Sequence, residues 1–341
     1  MSRVVGEYVL YEWPELASRF TGADAGLLLG NGGSRAVWSG FNYASLFEDA
    51  KAHSGGFTAD DLAVFSSLKT ESFEQVLQAL RTTVSTMWNL DRAAARRAHA
   101  CYDSIREQLF RAVSRVHVDW SLCELSGVLG SIGAALHQYG VVFSTNYDLL
   151  AYWGAMKAMA SAGKSDWFND FFKWSEFSPE ETVLSRTGTR LLYLHGALHI
   201  YRTKDGQTKK LRYENGITIL DHLRRLGERG DVPLFVAEGR SRDKERSITS
   251  SSYLFFCLAQ YAAFRGPMTV FGHRLAASDS HLIRPLCRPD AFVAIAVHER
   301  EKPATQLAAL MQDWCKKLYP AKPMFFASST HPLGQPALCV G

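Results

Sequence analysis

No two of the six cysteines lie in a C-x-x-C pair. Cys101, Cys123, Cys257, Cys287, Cys315 and Cys339 are scattered, so no local pair of thiolates is on offer to a tetrahedral zinc. They read as reduced, mostly buried thiols. Long clean apolar runs are also missing. The nearest, Ser121 to Phe143, is interrupted by Glu124, His137 and Gln138 and falls short of the roughly 20 apolar residues that a membrane span needs. Met1 to Leu16 mixes Arg3, Glu7, Glu12 and Glu15 among apolar residues and lacks the charged-then-apolar layout of a signal peptide. Charge of one sign is scarce too: 38 Lys and Arg against 34 Asp and Glu leave a small excess with no basic arm, which does not call for nucleic acid. No internal repeat or low-complexity tract occurs. The expectation from these absences is a soluble, cytoplasmic protein with neither membrane nor nucleic acid as partner.

What is present suits an α/β fold. With 341 residues and 47% hydrophobic content the chain can bury a large core, as about two domains or one domain with a large insertion. Short apolar runs at Gly26–Leu29, Val141–Ser144, Leu191–Leu194, Pro233–Ala237, Met268–Phe271, Ala291–Val297 and Met324–Phe326 read as strands. Helical patterns separate several of them: Ser34 through Tyr43 to Ala50, Leu149 to Met159 and Thr249 to Phe264. This alternation predicts a doubly wound, mostly parallel sheet. From Thr58 to Tyr139 the period is helical almost throughout, Ser72-Phe73-Glu74-Gln75 fits a capping box, and Arg92, Arg96, Arg97 and Arg106 read as the wet side of the next helix. The boundaries follow: an α/β domain of residues 1–50 and 136–341, with an all-helical insertion at 51–135. Arg202–Arg212 and Gly239–Arg246 read as exposed loops, and the tail after Ser328, with its prolines, as partly disordered. The aromatic segment Trp167–Phe177 reads as core or lid rather than as a base-stacking surface or a subunit contact.

Three strand ends carry chemistry. Gly30-Asn31-Gly32-Gly33-Ser34 lies between a strand and a helix, where backbone N–H groups can receive a phosphate; the plain alternative is a tight turn with no ligand. Its spacing is G-x-G-x-S, and Arg35 stands where the dehydrogenase fingerprint has its third glycine, which disfavours hydride transfer. Thr145-Asn146-Tyr147-Asp148 offers a carboxamide and a carboxylate for ribose hydroxyls or a water, or else merely caps the next helix. His195-Gly196 offers an imidazole, or a core histidine. His199 could join His195 at a metal, but no Glu-rich helix supports that pairing, and no metal is expected.

Taken together with Phe271-Gly272-His273-Arg274-Leu275 and Asp279-Ser280-His281-Leu282, these segments resemble in order and spacing the sirtuin-like superfamily. The likeness covers roughly residues 25 to 290 and is nearest to the bacterial non-deacylase branch without the zinc module, in a subgroup with a glycine-asparagine-glycine turn followed by a segment like Phe41-Asn42-Tyr43-Ala44-Ser45-Leu46. The resemblance implies a Rossmann-like domain that binds NAD as substrate. It implies that Gly30, Asn31, Gly32, Gly33 and Ser34 line the dinucleotide phosphates, beside Thr145. It implies that Asn146 holds the nicotinamide-side ribose and a water, that Asp148 orders this loop or the ribose, and that His195 is the general base. The Phe271–Leu275 turn, with Gly272, would contact the second half of the nucleotide, and Asp279 with His281 the adenosine end; the plain alternative there is a helix N-cap by Ser278 or Asp279. The absence of paired cysteines argues against acyl-lysine substrates. The function implied is an NAD hydrolase of bacterial anti-phage defence, with a non-catalytic NAD or ADP-ribose sensor that docks a partner, or an ADP-ribosyltransferase, as alternatives. A homo-oligomer or an activating protein partner stays open.

Overall fold

The structure is a computed structural model and describes residues 2–41, 43–180, 188–212, 218–223, 231–236, 241–300 and 302–340. Strands β1 (Arg3–Val5) and β2 (Tyr8–Tyr11) form a hairpin, helix α1 (Trp13–Phe20) follows, and strand β3 (Gly22–Leu29) runs into helix α2 (Asn31–Val37). Helices α3 (Tyr43–Ala52), α4 (Ala59–Leu68), α5 (Phe73–Met87), α6 (Arg92–Val116), α7 (Trp120–Leu125) and α8 (Val128–Leu136) lead to strand β4 (Tyr139–Ser144). Then come α9 (Leu150–Ala162), the short strands β5 (Phe168–Asn169), β6 (Phe172–Lys173) and β7 (Glu176–Phe177), and β8 (Thr189–Tyr193), β9 (Gly196–Arg202), β10 (Thr208–Lys210) and β11 (Val232–Phe235). The rest holds α10 (Ser241–Thr249), α11 (Ser252–Ala263), β12 (Met268–Phe271), α12 (Ser280–Ile283), β13 (Val293–Val297), α13 (Ala304–Leu318) and β14 (Met324–Ala327).

Among the described residues the main sheet has the order β1-β2-β14-β13-β12-β3-β4-β8-β5. Its pairings are parallel except for the β1–β2 hairpin. From β3 the chain moves outward through β4 and β8, then returns to the other side of β3 for β12, β13 and β14. That reversal puts the topological switch point at the carboxyl ends of β3 and β12, the place where ligands of doubly wound sheets sit. The fold is therefore α/β, a Rossmann-like doubly wound sheet, with an all-helical subdomain inserted between β3 and β4. A second, antiparallel sheet has the order β11-β9-β10-β7-β6.

The strands read as uninterrupted apolar runs because the central ones are covered on both faces: Leu27, Leu28, Val141, Val142, Leu192, Val270 and Ile295 are all fully buried. In the helical subdomain, α5 buries Phe73, Val76, Leu77 and Leu80 along one stripe, and Phe47, Phe57, Phe65 and Phe73 form a cluster of tilted and edge-on ring contacts. Ser72 caps α5 through the Gln75 amide, whereas the Gln75 side chain turns to the Thr70 hydroxyl, so the expected capping box is half made. Asp91 caps α6 through the amides of Ala93 and Ala94.

Several expectations are corrected. The single helix expected from Ser34 to Ala50 is two, α2 and α3, and the one expected from Thr249 begins at Ser252, where Ser251 caps it through the Leu254 amide. Arg202–Arg212 is not simply an exposed loop: it contains β10, whose Lys210 is buried with its ammonium 2.5 Å from Asp170 Oδ2. The second expected loop is helical from Ser241, and its Lys244 is buried; residues 239–240, like Asn42 of the aromatic segment, lie outside the described residues. Both lysines are inside because carboxylates meet them. The tail after Ser328 is ordered by three short 3-10 turns. His331 anchors it: fully buried, it contacts the Tyr139 hydroxyl through Nε2, accepts the Leu333 amide at Nδ1, and packs among Trp13, Phe271 and Phe326. All six cysteines are free, three of them buried, two half-buried and Cys339 exposed. Among the described residues no helix is long and apolar enough to cross a membrane.

Candidate functional site

The glycine turn ends the central strand and lies against the end of its neighbour. Gly30 N donates to Phe271 O, Gly32 N to Gly272 O and Gly33 N to Gly30 O, each at 2.9 Å. A Cβ at Gly30 would stand 2.6 Å from the Gly272 carbonyl, and one at Gly32 2.8 Å from Gly272 Cα. Gly272 itself has φ +68°, in the region that favours glycine. These glycines thus let two strand ends close on each other, and three turn amides that the sequence offers to a phosphate are engaged within the protein. Asn31 uses its Nδ2 to hold Phe41 O at 3.1 Å, fixing the chain after α2.

The turn delivers Ser34 inward, where it joins the neighbouring strand end. Asn146 Nδ2 donates to Ser34 Oγ at 2.8 Å, and Ser34 Oγ donates to Asp148 Oδ2 at 2.5 Å. The other Asp148 oxygen accepts the Leu150 amide, so this carboxylate both caps α9 and holds the serine. Thr145 ties the two strands together by donating its amide and hydroxyl to Leu29 O. All three members of the Ser34–Asn146–Asp148 cluster are buried, and Asn146 Oδ1 has no hydrogen-bond partner among the described residues. His117, which sequence reasoning missed, accepts the Leu149 amide at Nε2 and is tied to Val118 O through Nδ1. Burial lowers its pKa, and nearby Asp148 opposes that.

Register aligns the third strand end with these two. Leu29 pairs with Ser144 and Ser144 with Tyr193, so Asn146 and His195 both lie two residues past paired positions on adjacent strands. Tyr147 links them further. Its hydroxyl donates to Val236 O at 2.6 Å, and Val236 N donates to His195 O at 2.8 Å.

Around His195 lies a second buried cluster. His195 Nε2 and His281 Nε2 are 2.9 Å apart, so one ring must donate and the other accept. Asp279 stands at the N-cap position of α12 but makes no side-chain cap; its Oδ1 takes Lys244 Nζ at 2.8 Å, and its Oδ2 lies 3.9 Å from His273 Nε2. Lys244 also reaches Glu74 of the helical subdomain at 3.0 Å. Lys244 and Glu74 were not among the expected site residues, and His273 entered only as part of the Phe271–Leu275 turn. The signal of Lys244 was weak, because a basic residue in a charged segment ordinarily reads as solvated.

The electrostatics follow from burial. Desolvation, helped by the Lys244 cation and His281, holds His195 well below the ordinary imidazole value. Desolvation brings His281 down to about 4 and also lowers His273. Burial alone would raise the Asp279 carboxyl, but Lys244, His195 and His273 outweigh it and keep it low. For Lys244, Glu74 and Asp279 outweigh a desolvation that acts the other way. At neutral pH the cluster is therefore a carboxylate and an ammonium beside neutral imidazoles. His195, Asp279 and His281 offer ligand atoms within 4.8 Å of one another, a donor set that would also suit a transition metal; Lys244 already neutralises the carboxylate. His199 is not part of it. It stacks on Tyr152 with ring centroids 4.4 Å apart.

The chain belongs to the family described as Domain of unknown function (DUF4917), whose model matches residues 27–321. No curated protein matches it. A solved structure concerned with the structural basis for the mechanism and regulation of Sir2 enzymes is similar over 95% of this chain and 94% of that one, at 9% identity and a TM-score of 0.34.

Proposed function

We propose that the protein cleaves NAD at the nicotinamide–ribose bond, giving nicotinamide and, with water as nucleophile, ADP-ribose. The observation that carries this reading is the Asn146 carboxamide. Its Nδ2 is fixed by Ser34, its buried Oδ1 has no partner among the described residues, and it stands on the strand end next to His195. A buried acceptor without a partner is costly, on the order of 1–3 kcal/mol, and a ribose hydroxyl or a water bound there would satisfy it.

The bond to be broken has a cationic leaving group that departs neutral, so no strong general acid is needed. What is required is a held ribose, stabilisation of its oxocarbenium character, and a deprotonated nucleophile at the vacated face. Asn146 supplies orientation, and Ser34 and Asp148 keep it in one rotamer. His195 is neutral at physiological pH. With its Nε2–H directed at His281, the lone pair on Nδ1 is left to take a proton from water. Asp279 and Lys244 lie beside that pair. The sequence resemblance that suggests NAD also suggests defence of a bacterial host against phage.

Incubation of the purified chain with NAD, with products resolved by chromatography, tests the reaction class. Stoichiometric nicotinamide and ADP-ribose support hydrolysis. Covalent incorporation of the label from adenine-labelled NAD would replace it with ADP-ribose transfer, and saturable binding without turnover would replace it with a sensor.

A further inference from the structure

Three metal-ligating side chains converge where β8 ends and α12 begins. Ring nitrogens of His195 and His281 and one carboxylate oxygen of Asp279 lie within 4.8 Å of one another; both histidines are buried and Asp279 nearly so. The two imidazoles face each other through Nε2 at 2.9 Å. Of the Asp279 oxygens, Oδ1 is taken by Lys244 at 2.8 Å, whereas Oδ2 accepts no hydrogen bond among the described residues, with His273 Nε2 standing off at 3.9 Å. The backbone that carries these groups is fixed. His195 O accepts the Val236 amide at 2.8 Å, Asp279 N donates to Ala276 O at 2.8 Å, and the Tyr261 hydroxyl holds Leu282 O, next to His281, at 2.7 Å.

A zinc-like ion takes imidazole and carboxylate ligands at about 2.0–2.2 Å, which in a tetrahedron sets the ligand atoms about 3.3–3.5 Å apart. The imidazole pair is already within about 0.5 Å of that spacing. One shared proton holds the pair, and an ion can replace it with no net release of protons. The ring that donated from Nε2 shifts its proton to Nδ1, and the neutral ring that accepted already carries its proton there. His273 is not a fourth ligand: its Nδ1 accepts the Leu275 amide at 3.0 Å, so its proton sits on Nε2, toward Asp279. Three protein ligands with a fourth position for water are the pattern of an open zinc site rather than a closed structural one. Lys244, on the other carboxylate oxygen, orients Asp279, and its charge weakens the hold on a cation, which favours reversible binding.

We propose that His195, His281 and Asp279 form a binding site for a divalent transition-metal ion of zinc's class, and that the bound ion switches off His195 as a base. Two imidazoles favour such an ion over magnesium or calcium, which take oxygen ligands. The switch, unlike the site, rests on the NAD-cleavage reading, in which His195 works through a lone pair on Nδ1. An ion on Nε2 leaves the ring's proton on Nδ1 and removes that lone pair.

Cobalt(II) titrated into the chelator-treated full-length chain without NAD, and followed by its visible absorption, tests the site by itself. The wild type is expected to bind one ion saturably, at about 10 μM or tighter, and zinc should displace it. His281→Gln, which keeps a hydrogen-bonding group beside His195, and Asp279→Asn should each weaken binding about tenfold or more with unchanged circular dichroism. Because Asp279→Asn deprives Lys244 of a carboxylate, His281→Gln decides alone if that variant fails to fold. No saturable binding up to about 1 mM, equal binding by His281→Gln, or the absorption of a cobalt–thiolate bond from one of the free cysteines would overturn the site. In the NAD assay, saturating zinc should suppress nicotinamide release about tenfold or more, and a chelator should restore it. Unchanged or stimulated release with the site filled would overturn the switch. A wild type that cleaves no NAD would end the switch as well, while the cobalt titration still decides the site, so the two failures are told apart.

Discussion

Replacing Ser34 by alanine removes one oxygen atom and two buried hydrogen bonds. Ser34 Oγ accepts from Asn146 Nδ2 at 2.8 Å and donates to Asp148 Oδ2 at 2.5 Å, and the serine is only 4% exposed. The first bond is neutral, worth about 0.5–1.5 kcal/mol net, and the second is to a carboxylate, worth about 1.5–3 kcal/mol. Loss of both should destabilise the fold by about 2–4 kcal/mol, since both partners are buried. Urea unfolding followed by tryptophan fluorescence measures this, and the cycle of Ser34→Ala, Asp148→Asn and the double variant isolates the pair. A coupling of about 1–3 kcal/mol is expected, because the second change removes a group the first has already orphaned. Additive effects would show that the serine and the carboxylate act independently. The account of Asn146 as a carboxamide locked by its neighbours would then be wrong.

Further outcomes follow from the same geometry. Gly32→Ala places a Cβ 2.8 Å from Gly272 Cα, against backbone that cannot swing away, and should lower stability by about 1–3 kcal/mol in thermal melts; a neutral effect would mean that the two strand ends are less closely packed. Imidazoles held below their ordinary value in the folded state, His281 at about 4 and His195 lower than usual, leave the unfolded chain binding more protons, so stability is full above about pH 6.5 and falls as the pH drops toward 4. His281→Gln should flatten that profile, and an equally steep one in the variant would remove His281 from the explanation. Lys244→Met leaves Asp279 and Glu74 without their shared cation and should cost about 3–5 kcal/mol, read by denaturation at neutral pH; a loss under 1 kcal/mol would contradict the buried pairing.

Much of the architecture was legible because parallel strands covered on both faces leave short, unbroken apolar runs such as Val141–Phe143 and Leu191–Tyr193. Helix ends were legible where a lone polar side chain caps them, as at Ser72, whereas the cap at Ser251 stands in a run of serines, Ser250 to Ser252, that does not single it out. The glycine turn was visible, but not that its amides serve the neighbouring strand end, because that contact joins residues far apart in sequence. Lys210 and Lys244 were hidden for a related reason. A lysine reads as solvated until its carboxylate partners, Asp170 in one case and Glu74 with Asp279 in the other, are brought to it by the fold. His331 was likewise lost in a proline-rich tail whose order depends on Trp13, Phe271 and Phe326.

Nicotinamide release from NAD by the wild type, Asn146→Ala and His195→Ala, each checked for native circular dichroism, tests the central claim most directly. The account expects release by the wild type and its loss in both folded variants. Release at wild-type rates by either folded variant, or none by the wild type, would contradict it.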